Sequence, residues 1–258
     1  MPTKALEDKI KRMSAVQNKL IVALDVETAD EARRLVTSLR GIAGMFKIGS
    51  QLFTAAGPDL VKEIIKAGDK IFLDLKFHDI PNTVAAAGVE ATRLGVSMFN
   101  VHAGGGCAMM RRTADAVAEC AAAEGRARPT ILGVTVLTSS DDSTLQEIGV
   151  LEKADAMVAR LARLTANSGL DGVVASAREV ALVRAAVTKP GFVVVTPGVR
   201  PAGAGNDDQA RVMSPREAIA AGADYLVVGR PIIAAANPAR AAQLIIDEMQ
   251  SCAAGSSS

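Results

Sequence analysis

Residues 72–83 read FLDLKFHDIPNT. The stretch continues a buried strand opening, Ile71-Phe72-Leu73, and then keeps Asp74, Lys76, His78 and Asp79 before turning at Ile80-Pro81-Asn82. Asp and Lys are poor strand residues, and burying either one unpaired is costly. A strand that retains them either ends at the surface or has a use for them. Comparison with the other strand ends decides between the two.

Working outward, short β-branched runs recur at Leu20–Leu24, Met45–Ile48, Lys70–Leu75, Met98–His102, Thr130–Leu137, Gly172–Ala175, Phe192–Thr196 and Tyr225–Val228. The segments between them read as helices. TADEARRLVTSLRG opens on a Thr28 cap and closes at Gly41, PDLVKEIIKAG closes at Gly68, and NTVAAAGVEATRLG closes at Gly95. KADAMVARLARLTANSG, AREVALVRAAV and PREAIAAG continue the pattern. Strand alternating with helix implies a parallel sheet. Eight such units predict an α/β fold, a single (β/α)8 TIM barrel over residues 19–250. The rival is a doubly wound open sheet. It is disfavoured because Asp25, in place of a GxGxxG loop, follows the first strand. Residues 1–18 read as a charged leader and residues 251–258 as a disordered, Ser-rich tail.

Composition narrows the partners. Apolar residues make up 49% of the 258, yet only 3% are aromatic and Trp is absent, so the core is aliphatic. The net charge is +1, and one Tyr and six Phe are too few for a stacking, basic nucleic-acid surface. No apolar run reaches the length of a membrane span, and the N-terminus lacks the apolar core of a signal peptide. Cys107, Cys120 and Cys252 form no metal or redox spacing and read as reduced thiols of a cytoplasmic protein.

In a barrel, residues just after each strand collect at one face, where active sites sit. Here those residues are Asp25, Lys47, Asp74 with Lys76, His102, Thr138, Ser176, Arg200 and Arg230. A single Lys–Asp pair at a strand end is commonly structural, but several converging charges point to a site. Strand alternation puts Asp74 and Lys76 on one face, roughly 6.5–7 Å apart along the backbone. Lys47, on the neighbouring strand, can join them. A metal is disfavoured: Asp25, Asp74, Asp79 and His78 could ligate one, but two lysines would repel it and no HxH or HExxH spacing occurs. His78 and His102 read as packing or hydrogen-bonding residues, and no GxSxG context supports an acyl-enzyme.

TPGVR and VVGR each place Gly and Arg directly after a strand, which suits a phosphate. The segment between them, RPAGAGNDDQARVMSP, is long and polar enough for a lid.

These motifs together resemble the orotidine 5′-monophosphate decarboxylase family. The family signature, Asp-x-Lys-x-x-Asp, reads here Asp74-Leu75-Lys76-Phe77-His78-Asp79, followed by Ile80-Pro81-Asn82-Thr83. Matches continue through Asp25, Lys47, Thr138, Arg200, Gln209, Gly229 and Arg230, over about residues 18 to 245. The short signature also occurs in Mg²⁺-using hexulose-phosphate synthases. The HDIPNT continuation and the Arg200, Gln209 and Arg230 set favour the decarboxylase. The resemblance implies a metal-free and cofactor-free reaction on a nucleoside monophosphate. Lys76 would stabilise a carbanion at C6 and protonate it, with Asp74 near the departing carboxylate. Lys47 and Asp25 would reach the ribose. Thr138, Arg200, Gln209, Gly229 and Arg230 would hold the rest of the nucleotide. The resemblance also implies a homodimer in which Asp79 and Thr83 enter the neighbouring subunit's site. Two other readings stay open, a Mg²⁺-dependent sugar-phosphate barrel and a non-catalytic phosphate-binding barrel.

Overall fold

The computed structural model describes residues 16–200 and 213–251. Eight parallel strands close into a barrel in chain order: β1 (Leu20–Ala23), β2 (Met45–Gly49), β3 (Ile71–Phe77), β4 (Met98–His102), β5 (Thr130–Val134), β6 (Gly172–Val174), β7 (Val193–Pro197) and β8 (Tyr225–Val228). Closure is made by Ile21 pairing with Val227. The expected (β/α)8 barrel is the fold. Most of the expected leader, and the tail from residue 252, lie outside the described residues.

The helices form where local chemistry favours them. Helix α1 (Ala29–Leu39) starts at Thr28, whose hydroxyl accepts the Glu31 N–H at 3.2 Å. Helix α2 spans Ser50–Lys66. It begins well before the expected PDLVKEIIKAG because the chain turns helical straight after β2, then breaks at Gly57 (φ 67°) and restarts at Pro58. Helix α3 (Pro81–Leu94) has proline in its first turn and ends on Gly95 at φ 85°. Helices α4 (Gly106–Ala123), α5 (Asp142–Glu147), α6 (Ala154–Asn167), α7 (Val180–Ala186), α8 (Pro215–Ala220), α9 (Arg230–Ile233) and α10 (Pro238–Gln250) complete the described set. Two strand ends differ from expectation by more than one residue. Strand β3 runs on to Phe77, and β5 stops at Val134.

The period-two alternation of the strands builds two cores. Ile21, Ala23, Met45, Phe72, Met98, Leu132, Val195 and Val227 fill the barrel interior. Their neighbours, among them Leu20, Phe46, Ile71, Phe99 and Val194, face the helices. The same alternation sets the functional end. Two residues beyond inward Met45, Phe72 and Met98 come Lys47, Asp74 and Asn100, each buried.

The interior tolerates little extra volume at β6. A Cβ on Gly172 would lie 2.2 Å from the Val193 carbonyl oxygen, and backbone cannot move aside cheaply. Gly172→Ala is expected to destabilise the barrel by about 1–3 kcal/mol through overpacking. The measurement is the urea midpoint of unfolding, and an unchanged midpoint refutes the tight packing.

Candidate active site

The strand ends of β1 to β3 carry a chain of alternating charge. Lys47 Nζ lies 3.1 Å from Asp25 Oδ1 and 3.2 Å from Asp74 Oδ2. Lys76 Nζ lies 2.7 Å from Asp74 Oδ1. The side chains of Lys47 and Asp74 are only 11% and 12% exposed. A buried carboxylate is tolerated when paired and hydrogen-bonded, and Asp74 is both. Its Oδ1 also accepts from Asn100 Nδ2 at 2.7 Å.

Lys76 is held unusually. Its backbone φ is +50°, the only positive value at a non-glycine among the described residues. That region crowds the Cβ against the carbonyl and persists only where surroundings enforce it. The β3–β4 ladder explains how. Leu73 pairs with Phe99 and Phe77 with Val101, so β3 uses four steps where β4 uses two. Within this bulge the Lys76 N–H donates to Asn100 Oδ1 at 2.8 Å. The expected Asp74–Lys76 pairing holds, although the strand between them is bulged where regular pleat was expected. Asn100 was not singled out in the sequence. Its signal was an Asn inside the apolar strand MFNVH, two residues beyond inward Met98.

Above this chain opens a cavity of about 480 Å³. One wall is charged and comes from Asp25, Lys47, Asp74 and Lys76. The opposite wall is apolar and includes Val134, Val136, Val174, Pro197 and Val227. An apolar wall lowers the local polarisability, so charges in the cavity interact more strongly than in water. Thr138, Arg200, Gly229 and Arg230 line the rim. Glycines leave room for the charges: a Cβ on Gly49 would sit 3.2 Å from Lys47 Nζ, and one on Gly229 3.3 Å from Asp25 Oδ2. At the base of the β7 loop, the Arg200 N–H donates to the Met213 carbonyl at 3.3 Å.

The expected residues do not all gather here. Asp79 and Thr83 are exposed and line no part of the cavity, and Asp79 Oδ1 accepts its own neighbour's N–H, from Ile80, at 2.6 Å. Gln209 lies outside the described residues. Ser176 serves locally, in a capping box with Glu179. His78 and His102 pack against each other with ring centroids 5.4 Å apart. Among the described residues no three His, Cys, Asp or Glu side chains form a metal-binding group.

Comparison with known proteins bears on this geometry. Residues 18–245 match the model of the "Orotidine 5'-phosphate decarboxylase / HUMPS family". An orotidine 5'-phosphate decarboxylase of Syntrophotalea carbinolica is 58% identical, over 90% of this chain and 95% of its own length. The one from Moorella thermoacetica is 52% identical, over 97% of this chain and 99% of its own. The crystal structure of orotidine 5'-phosphate decarboxylase from Lactobacillus acidophilus superposes with a TM-score of 0.78 at 36% identity, covering 89% of this chain and 98% of that one.

The histidine pair has a measurable consequence. Burial, then the adjacent His78, then Lys76 hold the His102 imidazole below the usual histidine range, and Asp74 partly offsets them. In an NMR pH titration His102 is expected to take up its proton at lower pH than a free imidazole. In His78→Ala its titration should move upward, because a repelling neighbour and part of the burial are lost. A His102 titration unmoved by that change refutes the coupling.

Proposed function

This chain belongs to the orotidine 5'-phosphate decarboxylase / HUMPS family, and we propose that its charged cavity converts orotidine 5′-phosphate to UMP without a metal or organic cofactor. The chain is an enzyme of the carboxy-lyase class, and it acts in de novo pyrimidine biosynthesis. The observation that carries the reading is the Asp25–Lys47–Asp74–Lys76 chain facing an apolar wall.

The C6–carboxylate bond breaks, CO₂ leaves, and the electron pair stays on C6. With no electron sink, the protein has to stabilise that charge with groups already in place. Lys76 fills this role. Its ammonium faces the developing carbanion, gives C6 the proton that replaces CO₂, and regains one from water. The 2.7 Å contact with Asp74 supports the assignment, since it fixes where the ammonium can point. Asp74 lies beside the departing carboxylate. Lys47 and Asp25 bind the ribose, in keeping with their pairing at the cavity's edge. Thr138 meets the base, while Gly229, Arg200, Arg230 and Gln209 take the phosphate. A cavity of about 480 Å³ suits a nucleoside monophosphate.

The working unit is a homodimer in the cytoplasm, with Asp79 and Thr83 completing the partner's site. Their position outside their own cavity supports this. So does Ile80 between them in the chain, an apolar side chain that is 66% exposed. Cys107 and Cys120 are free thiols, in keeping with a reducing compartment. No helix among the described residues is long and apolar enough to cross a membrane.

Incubation with orotidine 5′-phosphate in EDTA, followed by loss of substrate absorbance, tests the reaction. The wild-type protein should consume the substrate, and Lys76→Ala should lose essentially all turnover while its circular dichroism stays that of the folded barrel. Substantial turnover by that variant refutes the role of Lys76. Failure of the wild type refutes the reaction itself.

Shared sites have their own signature. Lys76→Ala and Asp79→Ala subunits, each inactive alone, should regain activity on mixing, because one site of each heterodimer then carries neither defect. A mixture that stays dead after demonstrated subunit exchange removes Asp79 from the partner's site.

A further inference from the structure

We propose that Asn100 is a positioning residue for the decarboxylation, holding the Lys76 backbone and the Asp74 carboxylate in the one arrangement that aims the ammonium at the substrate. This rests on the reaction assigned above. Asn100 is completely buried on β4. Its residue number falls in the middle of the stretch where the β3–β4 ladder is interrupted, between the Leu73–Phe99 and Phe77–Val101 pairs. There its carboxamide takes the place of the missing ladder bonds. The oxygen accepts from the Lys76 N–H at 2.8 Å, and the nitrogen donates to Asp74 Oδ1 at 2.7 Å.

The orientation of the amide follows from its partners. A backbone N–H can only donate and a carboxylate can only accept, so only one of the two amide flips satisfies both. Each bond has a separate consequence. The first holds Lys76 at φ +50°, a conformation that is uncommon and costly for a residue with a Cβ. The second supplies Asp74 with a neutral donor. Oδ1 then has Lys76 and Asn100, and Oδ2 has Lys47, so the carboxylate is fixed from three strands. An apolar residue at position 100 would leave a buried N–H and part of a buried carboxylate unpaired. A merely structural buried Asn could bond to any neighbouring polar groups. Here both bonds end on the two residues closest to the proposed chemistry.

Two variants of the full chain test the proposal. Asn100→Ala removes both bonds. It is expected to lower kcat on the order of tens of fold, the effect of losing a hydrogen bond to a charged group together with the aim of the ammonium. KM should stay near the wild-type value, because the ribose and phosphate contacts lie elsewhere. Asn100→Asp is the sharper variant. When protonated, the introduced carboxyl has a donor and an acceptor in the same places as the carboxamide. When ionised, it sets a second negative charge against Asp74. Burial and Asp74 raise its pKa, while Lys76 and Lys47 on the same carboxylate act against them, so activity should be close to wild type at acid pH and should fall as pH rises through the resulting pKa. Wild type should show no such descending limb.

Wild type assayed in parallel separates the two levels of inference: its inactivity defeats the assigned reaction, not the positioning role. A crystal structure of Asn100→Ala gives a readout apart from activity, since Lys76 should leave the left-handed region. Wild-type kcat in Asn100→Ala, or a wild-type-shaped pH profile in Asn100→Asp, overturns the proposal. If Asn100→Ala does not fold, the pH profile of Asn100→Asp decides alone, with circular dichroism confirming folded protein across the range.

Discussion

The buried Asp74 carboxylate is the constraint on which the rest of the site depends. A carboxylate at that depth needs countercharge and hydrogen bonds on both oxygens, or it would be displaced or protonated. Lys47 from β2, Lys76 from β3 and Asn100 from β4 meet that need. Three strands are thereby tied to one point at the mouth of the barrel. The same contacts that make the carboxylate tolerable hold two ammonium groups at fixed positions beside an open cavity. On the proposed reading, stability and function thus draw on one set of bonds.

The barrel divides the labour around its axis. Strands β1 to β4 supply charge and the Asn100 amide, whereas β5 to β8 supply mainly aliphatic side chains and, at the rim, glycine and arginine. Such a division suits a reaction that generates a localised negative charge with no cofactor to absorb it. On the proposed reading, the two lysines of this charged wall are held in place by their carboxylate partners before the charge forms. The aliphatic wall keeps the surroundings weakly polar, which strengthens that attraction. The rim is far from this chemistry in sequence, and its glycines and arginines suit the phosphate end of the substrate.

Strain at Lys76 belongs to the same design. A lysine in the left-handed region costs free energy that the barrel has to offset elsewhere. The bulge of β3 and the carboxamide of Asn100 are the local means of imposing it. Without the bulge, Phe77 could not continue the strand against Val101 while Lys76 turns its N–H toward a side chain. Bulges occur often beside active sites because they re-aim a side chain without changing the fold.

Much of this protein was legible in the sequence. Eight β-branched runs separated by capped helices predicted the barrel, because alternation and helical spacing are local properties of the chain. Thr28, Gly95 and the Gly-Arg pairs after β7 and β8 were readable for the same reason. The Asp74–Lys76 pairing was also visible, since both lie on one strand. The early start of α2 was hidden by Gly57 and Pro58, which read as the point where a helix begins although helix lies on both sides of them. The role of Asn100 could not be read locally, because its partners lie 24 and 26 residues away on another strand. Nor could the bulge, which is a mismatch between two strands and belongs to neither one. Local periodicity determines which way a side chain points. Which group it meets is decided only when the barrel closes and sets the register between strands.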